Sequence, residues 1–165
     1  MSFTIRSVSP DDWEAIRSIR LRMLEETPLA YLETLANARS LSESDWRERG
    51  RRGQNPGELS IAAIGDDGSW LGMMGGLAHP ERGPLLVGVY VAPEARGTAA
   101  GVADALIGRV EEWARTVGDV LTLDVHEDNP RAIAFYARRG FSLTGGKRPY
   151  VLAPFGTELE MSKAV

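Results

Sequence analysis

The chain contains no cysteine. Disulfides, thiolate nucleophiles and thiolate metal sites are thereby excluded. Histidine is almost as scarce: His79 and His126 stand alone, too few to suggest a zinc centre, and no metal is expected. Lysine occurs only at 147 and 163, so arginine carries nearly all the positive charge. No apolar run approaches the roughly 20 residues that cross a bilayer. The leading MSFTIRSVSP lacks the apolar stretch of an export signal. The expectation is therefore a cytoplasmic protein without a membrane partner. An excess of positive charge is missing as well. Nineteen basic residues face 23 acidic ones, a formal charge of −4 with a pI near 5.3. Such a chain is a poor polyanion binder, and nucleic acid is not an expected partner. A local basic pocket for a phosphate ligand remains compatible with this balance.

What is present describes an ordinary globular domain. The 165 residues are 43% apolar and 25% charged. That is enough chain to bury a core without staples. No repeat, low-complexity tract or long linker divides it, so residues 1–165 are expected to form one domain.

Phe3 to Val8 alternates as a strand. Ser9 and Pro10 then open a helix carrying Trp13, Ile16, Ile19, Met23 and Leu24 at helical spacing, ended by Thr27-Pro28. Ser42 with Asp45 forms a capping box for a short helix to Gly50. Leu59 to Ile64, Trp70 to Ala78 and Leu85 to Val91 read as strands joined by hairpin turns, hence antiparallel neighbours. Ala99 to Val117 reads as a helix, Val120 to His126 as a strand, and Asn129-Pro130 as the start of a helix to Arg139. Phe141 to Thr144 and Thr157 to Met161 are the last predicted strands. An antiparallel meander thus feeds a strand-helix-strand crossover. The expected fold is α/β (α+β): a mixed sheet with helices on both faces.

Two segments carry the chemistry. In Leu85 to Gly101, an apolar strand runs through a small-residue loop into a helix. A helix N-terminus offers unpaired N–H groups and the positive end of the dipole, which together form an anion site. Gly97, Thr98, Ala99, Ala100 and Gly101 leave room for a phosphate to reach the backbone. The loop lacks a P-loop lysine and the G-x-G-x-x-G of a dinucleotide fold, so ATPase and Rossmann readings are weak. Taken alone, it fits a close-packed strand–helix joint equally well. The second segment is Asn129 to Phe141, NPRAIAFYARRGF. Ala132 and Tyr136 are four residues apart and share a helix face. Alone, Tyr136 reads better as a core aromatic than as a catalyst.

Together, VYVAPEARG (Val89 to Gly97) with its small-residue turn, and NPRAIAFYARRGF 32 residues beyond Gly97, resemble the GNAT N-acetyltransferase superfamily. The closing TELEMSK is similar to the family's C-terminal strand. The resemblance covers Leu59 to Met161 and, more loosely, the N-terminal helices. Two departures stand out. Ala99 replaces the first glycine expected after Arg96. The phosphate loop also fits two registers, ending at Ala99/Gly101 or at Gly101/Ala103.

The resemblance implies a mostly antiparallel sheet of about seven strands, splayed between the fourth and fifth. It implies acetyl-CoA as co-substrate. The pantetheine arm would lie against the main chain of Val89, Tyr90 and Val91. The pyrophosphate would sit on the amides of Arg96, Gly97, Thr98, Ala99, Ala100, Gly101, Val102 and Ala103. Asn129 would hydrogen-bond the arm, Ala132 would line it, and Arg138 or Arg139 would approach the adenosine phosphate. A main-chain N–H among Val89 to Val91 would stabilise the oxyanion, and Tyr136 would protonate the departing thiolate. The acceptor would be a primary amine, on a small molecule or at a peptide N-terminus. Its wall would be Leu24 to Glu43, where Glu25, Glu26, Tyr31 and Glu33 either attract the amine or form an ordinary solvated loop. The general base is left open among Asp124, His126, Glu127 and solvent, with His126 favoured as structural. Glu81 and Arg82 read as turn charges. The resemblance, with the strand edges near the C-terminus, also implies a homodimer. A silent acyl-CoA-binding module and a transferase of larger acyl groups are the alternatives.

Overall fold

The computed structural model describes residues 1–97 and 99–165. Its strands lie at the runs read as strands in the sequence, with β6 longer than expected: β1 (Phe3–Ser7), β2 (Glu58–Gly65), β3 (Trp70–His79), β4 (Gly83–Val91), β5 (Val120–His126), β6 (Ser142–Pro149) and β7 (Thr157–Ala164). The helices are α1 (Trp13–Glu26), α2 (Leu35–Ser40), α3 (Glu43–Arg51), α4 (Val102–Ala114) and α5 (Pro130–Ala137).

Local chemistry explains several boundaries. Ser42 caps α3: its hydroxyl accepts from the Asp45 amide at 3.2 Å, and Asp45 accepts from the Ser42 amide at 2.8 Å. Helix α4 starts three residues later than expected. Gly101 stands before it in the left-handed region (φ 69°), and Ala99 and Ala100 form a turn. It also ends earlier, because Thr116 and Val117 close tight turns onto Trp113 and Ala114. Helix α2 was not foreseen. It is six residues long, capped by Thr34, whose hydroxyl accepts from Asn37 at 3.1 Å. Strand β6 runs to Pro149, past the expected Thr144. Gly145 and Gly146 look like a turn in sequence but lie in a register irregularity against β7.

The sheet order is β1-β2-β3-β4-β5-β7-β6. Every neighbouring pair is antiparallel except β4 and β5, which are parallel. That pair meets only at Leu85 and Thr122, near the start of both strands. Beyond it β4 and β5 diverge, leaving a wedge in the middle of the sheet.

Alternation along β2 assigns the two faces. Ile61 and Ala63 pack with Leu106, Val110 and Tyr136 of α4 and α5, while Ala62 packs with Ile16, Leu24 and Trp46 of α1 and α3. Helices therefore cover both faces. Close approach of α4 depends on glycine in β3: a Cβ at Gly76 would overlap the Trp113 ring. Among the described residues, no helix is long and apolar enough to cross a membrane.

Candidate active site

The wedge between β4 and β5 opens into a cavity of about 1020 Å³ that reaches both faces of the sheet. That is at the upper end for ligand pockets and large enough for an extended cofactor-sized molecule.

On the α4/α5 face, Gly101 provides no side-chain cap for α4. The first intrahelical bond shown runs from the Ala105 amide to the Gly101 carbonyl. Among the described residues, the amides of Ala103 and Asp104 ahead of it bond no carbonyl one turn back. Gly97 (φ 102°) and Gly101 (φ 69°) have nothing within 4 Å of an added Cβ, so the backbone there is open to an incoming group. Thr98 lies outside the described residues. Arg96 turns its side chain inward: Nε donates to the Val91 carbonyl at 2.7 Å and the guanidinium pairs with Glu26 at 2.7 Å. Arg139 is no solvated helix charge. It pairs with Asp104 at 2.8 Å and stacks 3.8 Å over the Phe135 ring, tying α5 to the start of α4. Arg138 is exposed and lines the same cavity.

Strand β4 forms one wall of the wedge. The Ala92 amide donates to Leu71 on β3 at 2.8 Å, which sets the parity of the strand. Tyr90 therefore points its peptide groups at Met73 on β3, while Val89 and Val91 point theirs into the wedge. Of the three residues expected to meet a ligand through the main chain, Tyr90 is thus turned away. Its phenol instead donates to Glu26 at 2.8 Å. The outward carbonyls of Val89 and Val91 accept from Tyr31 (2.8 Å) and Arg96 (2.7 Å).

Helix α5 forms the opposite wall. Asn129 caps it, its Oδ1 accepting from the Ala132 amide at 3.2 Å, which leaves the Nδ2 donors for another partner. Ala132 and Tyr136 line the cavity one turn apart. Tyr136 is buried beside Phe135 and Phe141. Burial, with Tyr31 as a lesser cause, pushes its phenol well above the ordinary value of 10.

The other face of the wedge carries most of the charge. Leu121, Leu123 and Val125 of β5 pack toward α4 and α5, so Asp124 and His126 project the opposite way. Their cross-strand partners Glu160 and Glu158 on β7 project with them. His126 is unsuited to act as a base. Its Nδ1 accepts from the Asp128 amide at 3.0 Å, so Nε2 carries the proton and meets the Phe155 carbonyl at 2.8 Å. His79 is likewise occupied, accepting from the amides of Glu81 and Arg82. Arg82 is not a simple turn charge: it grips Asp124 with both Nη atoms at 2.9 Å and also reaches Glu160 at 2.8 Å. Glu127 accepts from the Thr157 amide.

The acidic residues of the N-terminal wall are also spoken for. Glu25 pairs with Arg39. Glu26 takes Tyr90, Arg96 and Arg22. Burial would raise its pKa, but these bonds outweigh that and hold it below the usual value. Glu33 lies between Arg20 and Arg49. Burial again opposes ionisation, yet the hydrogen bonds from Arg49 and Arg20 bring its pKa down to about 2. Only Tyr31 of these four lines the main cavity. Glu158, which also lines it, was missed in the sequence. The only signal was the alternation of TELEMSK, which puts Glu158 and Glu160 on one face without saying which.

The family described as "Acetyltransferase (GNAT) family" matches residues 13–141. The chain belongs to the GNAT acetyltransferase family. Solved structures agree on the GNAT fold. The GNAT-family acetyltransferase from Streptococcus pneumoniae superposes with a TM-score of 0.80 at 18% identity, over 99% of this chain and 100% of that one. The ribosomal-protein-alanine N-acetyltransferase from Brucella melitensis gives 0.77 at 24% identity, over 98% and 99%. The PaiA N-acetyltransferase from Thermoplasma acidophilum, solved in complex with coenzyme A, gives 0.70 at 20% identity, over the full length of both. At these identities the likeness establishes the shared fold. No curated protein matches the sequence.

Proposed function

We propose that the protein transfers the acetyl group of acetyl-CoA to a primary amine by direct attack, with Tyr136 as general acid. One observation carries this reading: the β4/β5 wedge joins an uncapped helix N-terminus to a buried phenol within a single cavity. The solved GNAT relative with coenzyme A supports the choice of co-substrate.

The pyrophosphate lies on the amides at the start of α4, where Gly97 and Gly101 leave the backbone bare. This favours the register ending at Gly101/Ala103, because Gly101 is the N-cap and Ala103 lines the cavity. The pantetheine arm follows the wedge, between the peptide groups of Val89 and Val91 and the Nδ2 of Asn129. A main-chain N–H of β4 facing the wedge stabilises the oxyanion, a contribution of about 3 kcal/mol at other such sites. Tyr136 holds its proton across the physiological range because burial raises its pKa, and it gives that proton to the leaving thiolate. The acceptor, a small-molecule amine or a peptide N-terminus, enters from the side of Tyr31 and β7.

Calorimetry with coenzyme A and thiol release from acetyl-CoA over a panel of amines test the reading. Micromolar binding with turnover of at least one amine is expected. Absence of binding by folded protein overturns it. Binding without turnover of any amine indicates a silent acyl-CoA module.

A further inference from the structure

We propose that Glu158 receives the acceptor's ammonium group and takes its proton, a role that rests on the acetyl-transfer reading above. Direct attack requires a neutral amine, yet alkylamines are protonated near neutral pH. The candidate carboxylates Asp124 and Glu127 are already engaged, Glu127 by the Thr157 amide. Asp124 and Glu160 each bind both Arg82 and Arg148, at 2.9 and 2.6 Å for Asp124 and 2.8 and 3.1 Å for Glu160. Two cations and two anions form a closed, neutral square.

Glu158 stands beside that square without joining it. It is the cross-strand partner of His126 on β5 and of Arg148 on β6. The Arg148 guanidinium is drawn away to Asp124 and Glu160, and His126 is neutral with both ring nitrogens bonded. Lys147, one residue before Arg148, pairs with Leu159 and projects to the other face. Tyr150 packs edge-on against His126, 4.8 Å away, and supplies no charge. Among the described residues the Glu158 carboxylate therefore makes no ion pair or hydrogen bond. It is the one uncompensated charge of this cluster, half-buried and facing the catalytic cavity. Burial first, and then the neighbouring Asp124, raise its pKa above the usual carboxylate value; the guanidinium groups of Arg148 and Arg82 oppose this without cancelling it. A carboxylate so placed gains most from an incoming cation. It is also a stronger base than a solvated glutamate.

The proton balance closes. The ammonium passes one proton to Glu158, which releases it to solvent. The freed nitrogen lone pair forms the C–N bond at the thioester carbonyl. As the C–S bond breaks, the thiolate takes the proton of Tyr136. The second nitrogen proton of the adduct restores that phenol through solvent. One amide, one thiol and one solvent proton result.

The test compares wild type with Glu158→Gln and Glu158→Asp. Thiol release from acetyl-CoA is followed from pH 5.5 to 9.5 with an α-amino acid amide, an aminoglycoside and an alanine-led peptide. Wild-type kcat/KM is expected to fall as pH drops through the Glu158 pKa. Glu158→Gln is expected to lose about 10²-fold or more near pH 7, the scale of a missing general base. Its rate should then climb tenfold per pH unit toward the amine pKa, while Glu158→Asp recovers part of the activity. Coenzyme A affinity and cooperative unfolding should match wild type in both variants, which separates a lost base from a lost fold or a lost cofactor site. A Glu158→Gln protein with wild-type kcat/KM and pH profile overturns the role of Glu158 and leaves the transferase reading standing. Wild-type protein that binds no coenzyme A overturns both.

Discussion

The Tyr31 hydroxyl donates a 2.8 Å hydrogen bond to the main-chain carbonyl of Val89, joining the α1–α2 segment to the wedge strand across 58 residues of sequence. The bond fixes one side of the acceptor entrance to the strand proposed to hold the thioester. Burial pushes the Tyr31 phenol up to about 12, so it remains a donor throughout the useful pH range. Tyr31→Phe removes the donor while keeping the ring. A loss of about 1 kcal/mol in denaturant unfolding is expected. The acceptor KM should rise several-fold, with coenzyme A affinity unchanged. Equal weakening of both ligands would show that Tyr31 does not act on the acceptor side.

Tyr136→Phe should leave coenzyme A binding intact and lower kcat by about 10²-fold. Because burial raises the phenol's pKa, the wild-type rate should not decline through loss of this proton below about pH 10. Steady-state kinetics alongside calorimetry check both points. An unchanged kcat removes Tyr136 from the mechanism.

Gly101→Leu addresses the phosphate site. The left-handed φ costs a leucine about 1–2 kcal/mol, which a folded domain tolerates. Its side chain, however, would stand in the open space before the first α4 amides. The expected outcome is a folded protein with a slightly lower Tm that shows no heat with coenzyme A. Retained micromolar binding would place the phosphates elsewhere.

Glu33 sets an acid limit on stability. Its folded pKa of about 2 lies below its ordinary value of 4.5. The stabilisation is therefore complete above about pH 4.5 and is lost as pH falls from there toward 2. Glu33→Ala strands Arg20 and Arg49 in a half-buried setting and should cost about 3 kcal/mol at pH 7. It should also flatten the acid limb of the stability profile. Urea unfolding at several pH values measures both.

Gly76→Ala probes how closely α4 packs on the sheet. The added methyl would overlap the Trp113 ring, so α4 or the indole must shift, at a cost of about 1–3 kcal/mol. A lowered Tm with altered tryptophan fluorescence is expected, and an unchanged Tm would show that the joint is loose.

Much of the fold was legible because its signals are local. Alternation in Leu59 to Ile64 and Trp70 to Ala78, the Ser42/Asp45 box and the Asn129-Pro130 start each act within a few residues, and the structure keeps them all. Helix α2 escaped notice because six residues carry too little periodicity. The second half of β6 escaped because its glycines read as a turn, while its strand character is set by pairing with β7, whose partners lie 8 to 12 residues away.

The sequence by itself determined the element order apart from α2, the family's two motifs and the placement of Ala132 and Tyr136 on one helix face. These follow from backbone periodicity and from residues that start or stop it. Only the tertiary structure decided which charges are free. Glu26, Glu33 and Asp124 read as open to a ligand until Arg96, Arg20 and Arg82, 13 to 70 residues distant, were seen to occupy them. Ion pairing depends on which side chains the fold brings within about 4 Å, and no local pattern encodes that distance.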